Sequence, residues 1–481
     1  MNINTQFSCG NILCAILSLI IVSSNSAAFA QQQRIDFAEL DKVALEELKQ
    51  RNTPGAAVAV IKDGQVIYAK GYGVANIETG APVTPDMLFR LGSTTKMLTA
   101  AALVTLAAAG KLKLDAPIGD YVKGMNPRLA QVTVHQLLSQ SAGLRDFAAT
   151  VTSNDDAALG NQARSWKEDV FFTEPGEIYS YSSPGYWLAG LVAEEVGGKP
   201  YADAMDELLF KPLGMSRSTL RPSVAMTYPL TVGHRIENNA AVVIRPAFNN
   251  TAMWPGGSVY STVGDLARFV IALMNEGRLE GKQAMSPLVV AKLPTPHVTL
   301  PGTTDVNYGY GLMSYSYRGV RVTQHGGAST GYGSTIQLVP EHKFAVITLT
   351  NRSGETLPRA RDKAMELLLP LKAPEQEETN SAPPLSEAEM AGYVGRYSHA
   401  PRTWDVYVKE GKLRLKHEGG ESELKRVGPA TFTYGQGGEL VFALGPNGKA
   451  EHLFLGMYAA KKAPGEKTEG QPRRNEEMKK E

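Results

Sequence analysis

Ser93 and Lys96, separated by two threonines, are the side chains in this sequence best placed to do chemistry. Residues three apart share a helix face, so the hydroxyl and the amine can meet. A serine hydroxyl is a poor nucleophile until a base removes its proton, and lysine can be that base when burial lowers its pKa. The apolar residues that follow, 97–110, predict a helix that would bury the amine. The spacing therefore predicts an acyl-transferring serine enzyme.

The same S-x-x-K spacing recurs at Ser422 and Lys425, so the string by itself decides nothing. This second copy lies in a polar, alternating stretch that predicts a strand, where residues i and i+3 point to opposite faces. The surroundings of Ser93, not the spacing alone, carry the hypothesis.

A G-x-S-x-G string over residues 327–331 offers Ser329 as a rival nucleophile. That motif works as a nucleophile elbow only between a strand and a helix. The residues after Gly331 predict a second strand, which argues against this alternative. The eight histidines show no H-E-x-x-H spacing, so neither a metal nor another cofactor is predicted.

Composition places the chain among ordinary globular proteins, with 43% hydrophobic and 20% charged residues in 481. The formal net charge of +1 implies neither a nucleic acid nor an acidic membrane surface as partner. A small molecule or a short peptide is the expected substrate. The sequence leaves the oligomeric state open.

The N-terminal residues 1–30 predict a signal peptide, with an apolar run over 12–22 and an A-x-A cleavage site ending at Ala30. The mature protein is therefore expected to be secreted or periplasmic, without insertion in the membrane. No Lys or Arg precedes the apolar run, which keeps an uncleaved membrane anchor as the alternative. Cys9 and Cys14 both precede the cleavage site, so the mature chain is expected to have no disulfide, thiolate zinc site or cysteine nucleophile.

The apolar patterns predict an α+β domain over residues 31–371, in which an antiparallel sheet is flanked by helices and interrupted by a helical insertion. The predicted strands are 56–61, 65–73, 309–315, 320–323, 334–339 and 344–350, and helices are expected at 35–49 and 357–371. A proline-rich linker follows at 372–387. Short alternating strands over 388–460 predict a small all-β barrel, and 461–481 predict a disordered charged tail.

Two further motifs follow Ser93 in order, Tyr181-Ser182-Ser183 and His325-Gly326-Gly327. With them, residues 36–371 resemble the serine β-lactamase and penicillin-binding-protein superfamily, and within it the class C β-lactamase-like serine hydrolases. The tyrosine motif stands at the family's Y-x-N position. The histidine motif stands where class C enzymes have K-T-G and many esterase or peptidase relatives have H-x-G. The β-rich C-terminal part resembles the lipocalin-like module often appended to this family.

The resemblance implies a role for each motif. Ser93 would attack the substrate carbonyl, while Lys96 and Tyr181 take and return its proton, the lysine pKa being lowered by burial and the tyrosine pKa by the cation beside it. Backbone N–H groups of Ser93 and Ala328 would form the oxyanion hole. The remaining motif residues would line the substrate site: Ser183, His325, Gly326 and Gly327. His325 could contact a substrate carboxylate or steer the tyrosine.

Two departures from the family pattern argue against an efficient β-lactamase. Ser183 replaces the asparagine that would hold a substrate amide, and His325 replaces a lysine whose permanent charge would bind a carboxylate. The predicted function is a serine hydrolase that forms an acyl-enzyme with an ester or amide, as an esterase or a D-amino-acid-type peptidase. A β-lactamase or D,D-carboxypeptidase of the same family is the alternative, and a non-catalytic ligand-binding or sensor protein is the alternative from another class.

Overall fold

The structure, a computed structural model, describes residues 35–374 and 382–464. The predicted signal peptide, the middle of the linker and most of the predicted tail lie outside the described residues. Everything described from Ala38 onward belongs to one compact unit. Within these ranges, every helix is too short or too polar to cross a membrane.

The larger sheet, here called the main sheet, is a nine-stranded antiparallel sheet in the part of the chain described. Its strands lie in the order Val298–Thr299, Asn307–Tyr308, Met313–Tyr317, Val320–Ser329, Tyr332–Val339, Phe344–Thr350, Gly55–Lys62, Gln65–Asn76 and Ala81–Pro82. The first strand pair of the chain thus joins the late strands in one sheet, as the sequence predicted. The predicted strand at 320–323 continues to Ser329, because the glycines that interrupt its apolar pattern still pair with the next strand.

Helices cover both faces of the main sheet, which explains why its central strands are buried at almost every position. Phe344–Thr350 and Tyr332–Val339 are buried at every residue. The described α-helices are Ala38–Gln50, Thr95–Ala108, Pro127–Ala130, Val134–Leu138, Ala158–Arg164, Ser183–Gly197, Tyr201–Met205, Lys211–Leu213, Pro222–Ala225, Trp254–Gly257, Val263–Met274, Pro287–Lys292, Pro358–Leu368 and Glu387–Tyr393. The α+β fold with its helical insertion is confirmed.

The helix Thr95–Ala108 lies at the centre of the domain. It carries small and apolar side chains on every side, so it has no polar face to turn toward water. It packs against the similarly apolar helix Ser183–Gly197. The Ser93 and Tyr181 motifs lie at the N-terminal ends of these two helices, so the packing of the helices brings the motifs together.

The second sheet, here called the C-terminal sheet, also has nine antiparallel strands among the described residues. They lie in the order Gly420–Glu423, Lys412–His417, Arg402–Lys409, Gly395–His399, Tyr458–Lys462, Ala450–Leu455, Gly438–Leu444, Thr431–Tyr434 and Lys425–Arg426. Only Leu424 separates the two edge strands in the chain, so the sheet is nearly closed, as predicted. Ser422 and Lys425, which form the second copy of the S-x-x-K spacing, lie on these two edge strands. The last strand ends at Lys462, two residues beyond the predicted end of the barrel.

The C-terminal sheet packs directly against the part of the main domain that carries the tyrosine motif. Phe454 and Ala459 share an apolar cluster with Tyr179 and Tyr308. The Ala459 N–H donates to Ser180 Oγ at 3.1 Å. The C-terminal sheet therefore reaches the segment that holds Tyr181.

Candidate active site

Ser93 lies in a 3₁₀ turn, Gly92–Thr94, that runs straight into the helix Thr95–Ala108. Lys96 lies in the first turn of that helix, and its Nζ is 3.1 Å from Ser93 Oγ. The two side chains therefore meet across one helical turn, as their spacing predicted.

Two glycines allow the Ser93 turn to approach the strand that carries the third motif. Gly92 has a φ of +57°, and a Cβ there would lie 2.7 Å from the backbone nitrogen of Ala328. A Cβ on Gly327 would lie 2.0 Å from the carbonyl oxygen of Leu91. The close approach sets the backbones of Ser93 and Ala328 side by side, and both residues line one crevice of ≈ 150 Å³. This is the arrangement that the predicted oxyanion hole requires.

Lys96 is fully buried, and its surroundings are poor in charge. Its Nζ donates to the Gly256 carbonyl at 2.8 Å and lies 3.5 Å from Ser183 Oγ. Burial lowers the pKa of Lys96 to about 7, although the Asp146 carboxylate acts in the opposite direction. The expected direction of the lysine shift is thus borne out, and a large share of the amine is neutral near pH 7.

Tyr181 is clamped through its backbone neighbours. Gln140 accepts from Ser180 N–H through its main-chain carbonyl at 2.9 Å and from Ser182 N–H through its side chain at 2.8 Å. Between them, the Tyr181 N–H donates to the carbonyl of Met457, which belongs to the C-terminal sheet, at 2.9 Å. The tyrosine that contacts the nucleophile is therefore held both by Gln140 and by the C-terminal sheet.

The expectation that a neighbouring cation lowers the pKa of Tyr181 is wrong. Burial raises the pKa of Tyr181 well above its ordinary value, although the hydrogen bond with Ser93 opposes that shift. Lys96 Nζ lies 4.7 Å from the centre of the ring, but the cost of burying a phenolate determines the direction of the shift. Tyr181 is therefore a neutral phenol that can donate its proton.

Ser183 opens the helix Ser183–Gly197, with Ser182 as the N-cap. The Ser183 N–H donates to Asp146 Oδ1 at 2.8 Å, which fixes the start of the helix beside the nucleophile. Its side chain lines the same crevice as Ser93 and Ala328. The structure thus brings the second motif to the first.

His325 has a protein partner at each ring nitrogen. Its Nδ1 donates to the Gly326 carbonyl at 2.6 Å, which leaves Nε2 to accept from the Tyr308 hydroxyl at 3.2 Å. Burial, with the charge of Lys96, lowers the pKa of His325 to about 3, so the ring is neutral. Its ring centroid lies 6.3 Å from that of Tyr181. The contacts favour steering of the tyrosine over binding of a substrate carboxylate. Gly326 is exposed beside it.

The rival nucleophile Ser329 lies at the end of a strand in a β-hairpin. It pairs with Tyr332, and the strand Tyr332–Val339 follows at once, so no helix begins there. Among the described residues, Ser329 Oγ has no hydrogen-bond partner and thus no base. The nucleophile-elbow alternative is wrong.

Sequence reasoning missed four contributors to the site. Asp146 lies two residues after the Ser-Ala-Gly-Leu turn at 141–144, and an acidic residue beside a glycine turn is a signal that could have drawn attention to it. The others act in ways that a side-chain pattern does not reveal, through a backbone carbonyl or from a distant strand: Gly256, Tyr308 and Met457.

Comparisons with known proteins agree with this geometry. The family model described as Beta-lactamase matches residues 40–369. Penicillin-binding protein 4 of Amycolatopsis lactamdurans is 28% identical over 369 residues, which is 73% of this chain and 96% of that protein. The unguisins hydrolase ungD of Aspergillus violaceofuscus is 28% identical over 348 residues, which is 65% of this chain and 61% of the relative.

A solved structure extends the likeness beyond the matched domain. The crystal structure of SurE with D-Leu has a TM-score of 0.72 and 25% identity, and the match covers 89% of this chain and 100% of that one. The matched family spans more than half of the chain and includes all three motifs. The chain therefore belongs to the beta-lactamase family of serine hydrolases and penicillin-binding proteins.

Proposed function

We propose that this protein hydrolyses an ester or an amide through an acyl-enzyme on Ser93. The observation that carries the proposal is the fully buried Lys96, whose amine lies 3.1 Å from Ser93 Oγ and titrates near pH 7. A base with a pKa close to the working pH is the most effective general base.

In acylation, Ser93 Oγ attacks the carbonyl carbon and its proton passes to the neutral amine of Lys96. The carbonyl oxygen becomes an oxyanion, which the N–H groups of Ser93 and Ala328 stabilise. The bond to the leaving group then breaks as that group takes the proton of the Tyr181 hydroxyl. The ammonium of Lys96 returns a proton to Tyr181, so both groups end in their starting states.

In deacylation, water attacks the acyl carbon and gives its proton to the same pair of residues. The bond from the acyl carbon to Ser93 Oγ breaks, and the oxygen takes that proton back. Two residues of the third motif position the reacting groups in this scheme. His325 lies beside the Tyr181 ring, and Gly327 has no side chain that would block the close approach of the Ser93 turn.

Within this reaction class, an esterase or a D-amino-acid-type peptidase is the better-supported substrate assignment. The neutral His325 offers no permanent charge to the carboxylate of a β-lactam or of a peptide C-terminus. The similar crystal structure is that of SurE with D-Leu, a D-amino acid. A β-lactamase or D,D-carboxypeptidase is the second candidate, favoured by the similarity to a penicillin-binding protein.

A non-catalytic ligand-binding protein has less support. Within the described residues, side chains such as Tyr397, Phe432 and Phe442 fill the interior of the C-terminal sheet. This packing occupies the space that a ligand-binding cavity would need. The intact contact between Ser93 and Lys96 also speaks for catalysis.

A substrate panel tests the proposal. Wild type and Ser93→Ala are assayed with p-nitrophenyl acyl esters, D-amino acid amides, D-Ala-D-Ala peptides and nitrocefin, and both are treated with a fluorophosphonate probe. We expect turnover and labelling in wild type and neither in Ser93→Ala. Equal labelling of the two proteins would refute the assignment of Ser93, and turnover of nitrocefin alone would establish the second candidate.

A further inference from the structure

A cleft of ≈ 710 Å³ lies between the main domain and the C-terminal sheet. It adjoins the Ser93 crevice, because Ser183, Trp187 and Met253 line both spaces. A substrate seated at Ser93 can therefore extend past Ser183 into the cleft.

The side chain of Asp146 is the acidic group in the wall of this cleft. Its carboxylate accepts from the Ser183 N–H at 2.8 Å and is hydrogen-bonded to the side chain of Tyr458 from the C-terminal sheet. Across the described ranges, no lysine, arginine or histidine forms a direct ion pair with it, although its charge raises the pKa of both Lys96 and His399 against the larger effect of burial. A half-buried carboxylate with two neutral donors still has acceptor positions for a cation.

Aromatic side chains line the same cleft as the carboxylate. Phe147 and Trp187 line the cleft from the main domain, and Trp404, Tyr434 and Tyr458 line it from the C-terminal sheet. A cleft that combines a negative charge with aromatic side chains is a favourable setting for an ammonium ion, since an aromatic ring attracts a cation through its quadrupole.

We propose that Asp146 binds an ammonium group on the acyl portion of the substrate, so that the protein prefers acyl groups with a free amine, such as aminoacyl esters and amides. The inference rests on the proposed function and deepens it. The bound amine would lie close to the scissile bond, because a chain of short contacts links Asp146 to Ser93. Asp146 accepts a hydrogen bond from the Ser183 N–H, and Lys96 Nζ lies within 3.5 Å of both the Ser183 and the Ser93 hydroxyls.

Arg402 is the one feature of the cleft that fits a different ligand, a carboxylate. It lies on the C-terminal sheet and is exposed. Asp146 is the better anchor for a group near the reacting carbon, because it adjoins Ser183, which also lines the Ser93 crevice.

The test uses substrates that differ only in the charge of the amine. The p-nitroanilides of D- and L-alanine are compared with their N-acetyl counterparts, and p-nitrophenyl acetate reports the chemistry at Ser93. We expect wild type to favour the better free-amine substrate by about tenfold or more in kcat/KM. Asp146→Asn should abolish most of that preference, after normalisation to p-nitrophenyl acetate. Asp63→Asn, which removes an exposed carboxylate from a distant hairpin, should leave it unchanged.

A binding readout keeps the test independent of turnover. Alaninamide should protect Ser93 from a fluorophosphonate probe better than N-acetylalaninamide does, and Asp146→Asn should erase the difference. Equal use of free and acetylated substrates, or an equal loss on all substrates in Asp146→Asn, overturns the inference while Ser93 chemistry stands. A preference for acyl groups that carry a carboxylate also overturns it, if that preference disappears in Arg402→Gln. Failure of every substrate and of labelling would instead refute the proposed function.

Discussion

The two nine-stranded sheets bury their residues in different ways. Central strands of the main sheet, such as Phe344–Thr350, are buried on both faces, whereas Lys412–His417 of the C-terminal sheet alternates between buried and solvent-facing positions. The main sheet lies between helices and the C-terminal sheet curls around its own side chains. The main sheet therefore lies in the interior of a domain, whereas the C-terminal sheet has one face buried and one face exposed to solvent.

This difference decides what each sheet gives to the site. The main domain supplies reactive side chains in a dry setting, where burial moves the pKa of Lys96 to about 7. The C-terminal sheet supplies a backbone carbonyl, that of Met457, and the aromatic wall of the cleft. The reacting side chains come from the helical part of the main domain, while their orientation and the selectivity of the site also draw on the C-terminal sheet.

Replacement of the nucleophile should have the largest effect on activity. Ser93→Ala should lower kcat by a factor on the order of 10⁴ or more, because no acyl-enzyme can form. The matched changes Ser329→Ala and Ser422→Ala should leave kcat near the wild-type value. A steady-state assay with p-nitrophenyl acetate measures all three, and a large loss in either matched variant would contradict the assignment.

Removal of either proton carrier should cost less than removal of the nucleophile. Lys96→Ala and Tyr181→Phe should each slow acylation by about 10²–10⁴-fold, the range typical of general acid–base catalysis. Stopped-flow kinetics measure the acylation rate, and circular dichroism checks that the fold is kept. If either variant turns over at the wild-type rate, its proton-transfer role is wrong.

Truncation after residue 371 tests whether the C-terminal sheet also holds Tyr181 in place, besides lining the cleft. The loss of the Met457 carbonyl frees the Tyr181 backbone, so activity should fall by about 10²-fold, as expected for a misplaced catalytic group. Tyr179 and Tyr308 become exposed, so the truncated protein should bind a hydrophobic dye and aggregate. A chain cleaved within residues 375–381 by an engineered protease site is the control and should keep its activity if the two parts stay associated.

The pH profile should report Lys96. The reactive form is the neutral amine, so kcat/KM should rise about tenfold per unit as pH increases toward 7 and level off above it. A rise centred near the ordinary lysine pKa of 10.5 would mean that burial does not shift this lysine.

The same shift has a consequence for stability. Unfolded Lys96 holds its proton up to about its ordinary pKa of 10.5, whereas the folded form releases it near pH 7. The unfolded state therefore binds more protons between these values, and stability should rise with pH across that window. Comparison with Lys96→Met by denaturant unfolding at about pH 7 and about pH 9 isolates this contribution.

The smallest effect is expected at the rim between the two sheets. Lys461 of the C-terminal sheet pairs with Glu177 at 3.0 Å, and its side chain is 42% exposed. Partly exposed ion pairs contribute little, so Lys461→Met should lower the free energy of unfolding by less than about 1 kcal/mol and leave kcat unchanged. A larger loss would mean that this pair, rather than the apolar cluster, holds the sheets together.

Local patterns in the sequence were enough to predict the main elements of the fold. The strand at 344–350 and the pairing of early with late strands follow from apolar patterns that reflect burial. The extension of Val320–Ser329 through the third motif was missed, since Gly326 and Gly327 have no side chains to continue the pattern. Their pairing partners come from another strand.

The sequence by itself determined the reactive pair, because Ser93 and Lys96 are three residues apart and a helix brings such residues together. Tertiary structure alone decided the state of Tyr181, whose pKa depends on burial among residues far away in the chain. It also decided the contributions of Met457 and Asp146, one through a backbone carbonyl and the other through a cleft between two sheets. Spacing determines which neighbours share a helix face, whereas desolvation and long-range contacts arise only when the whole chain has packed.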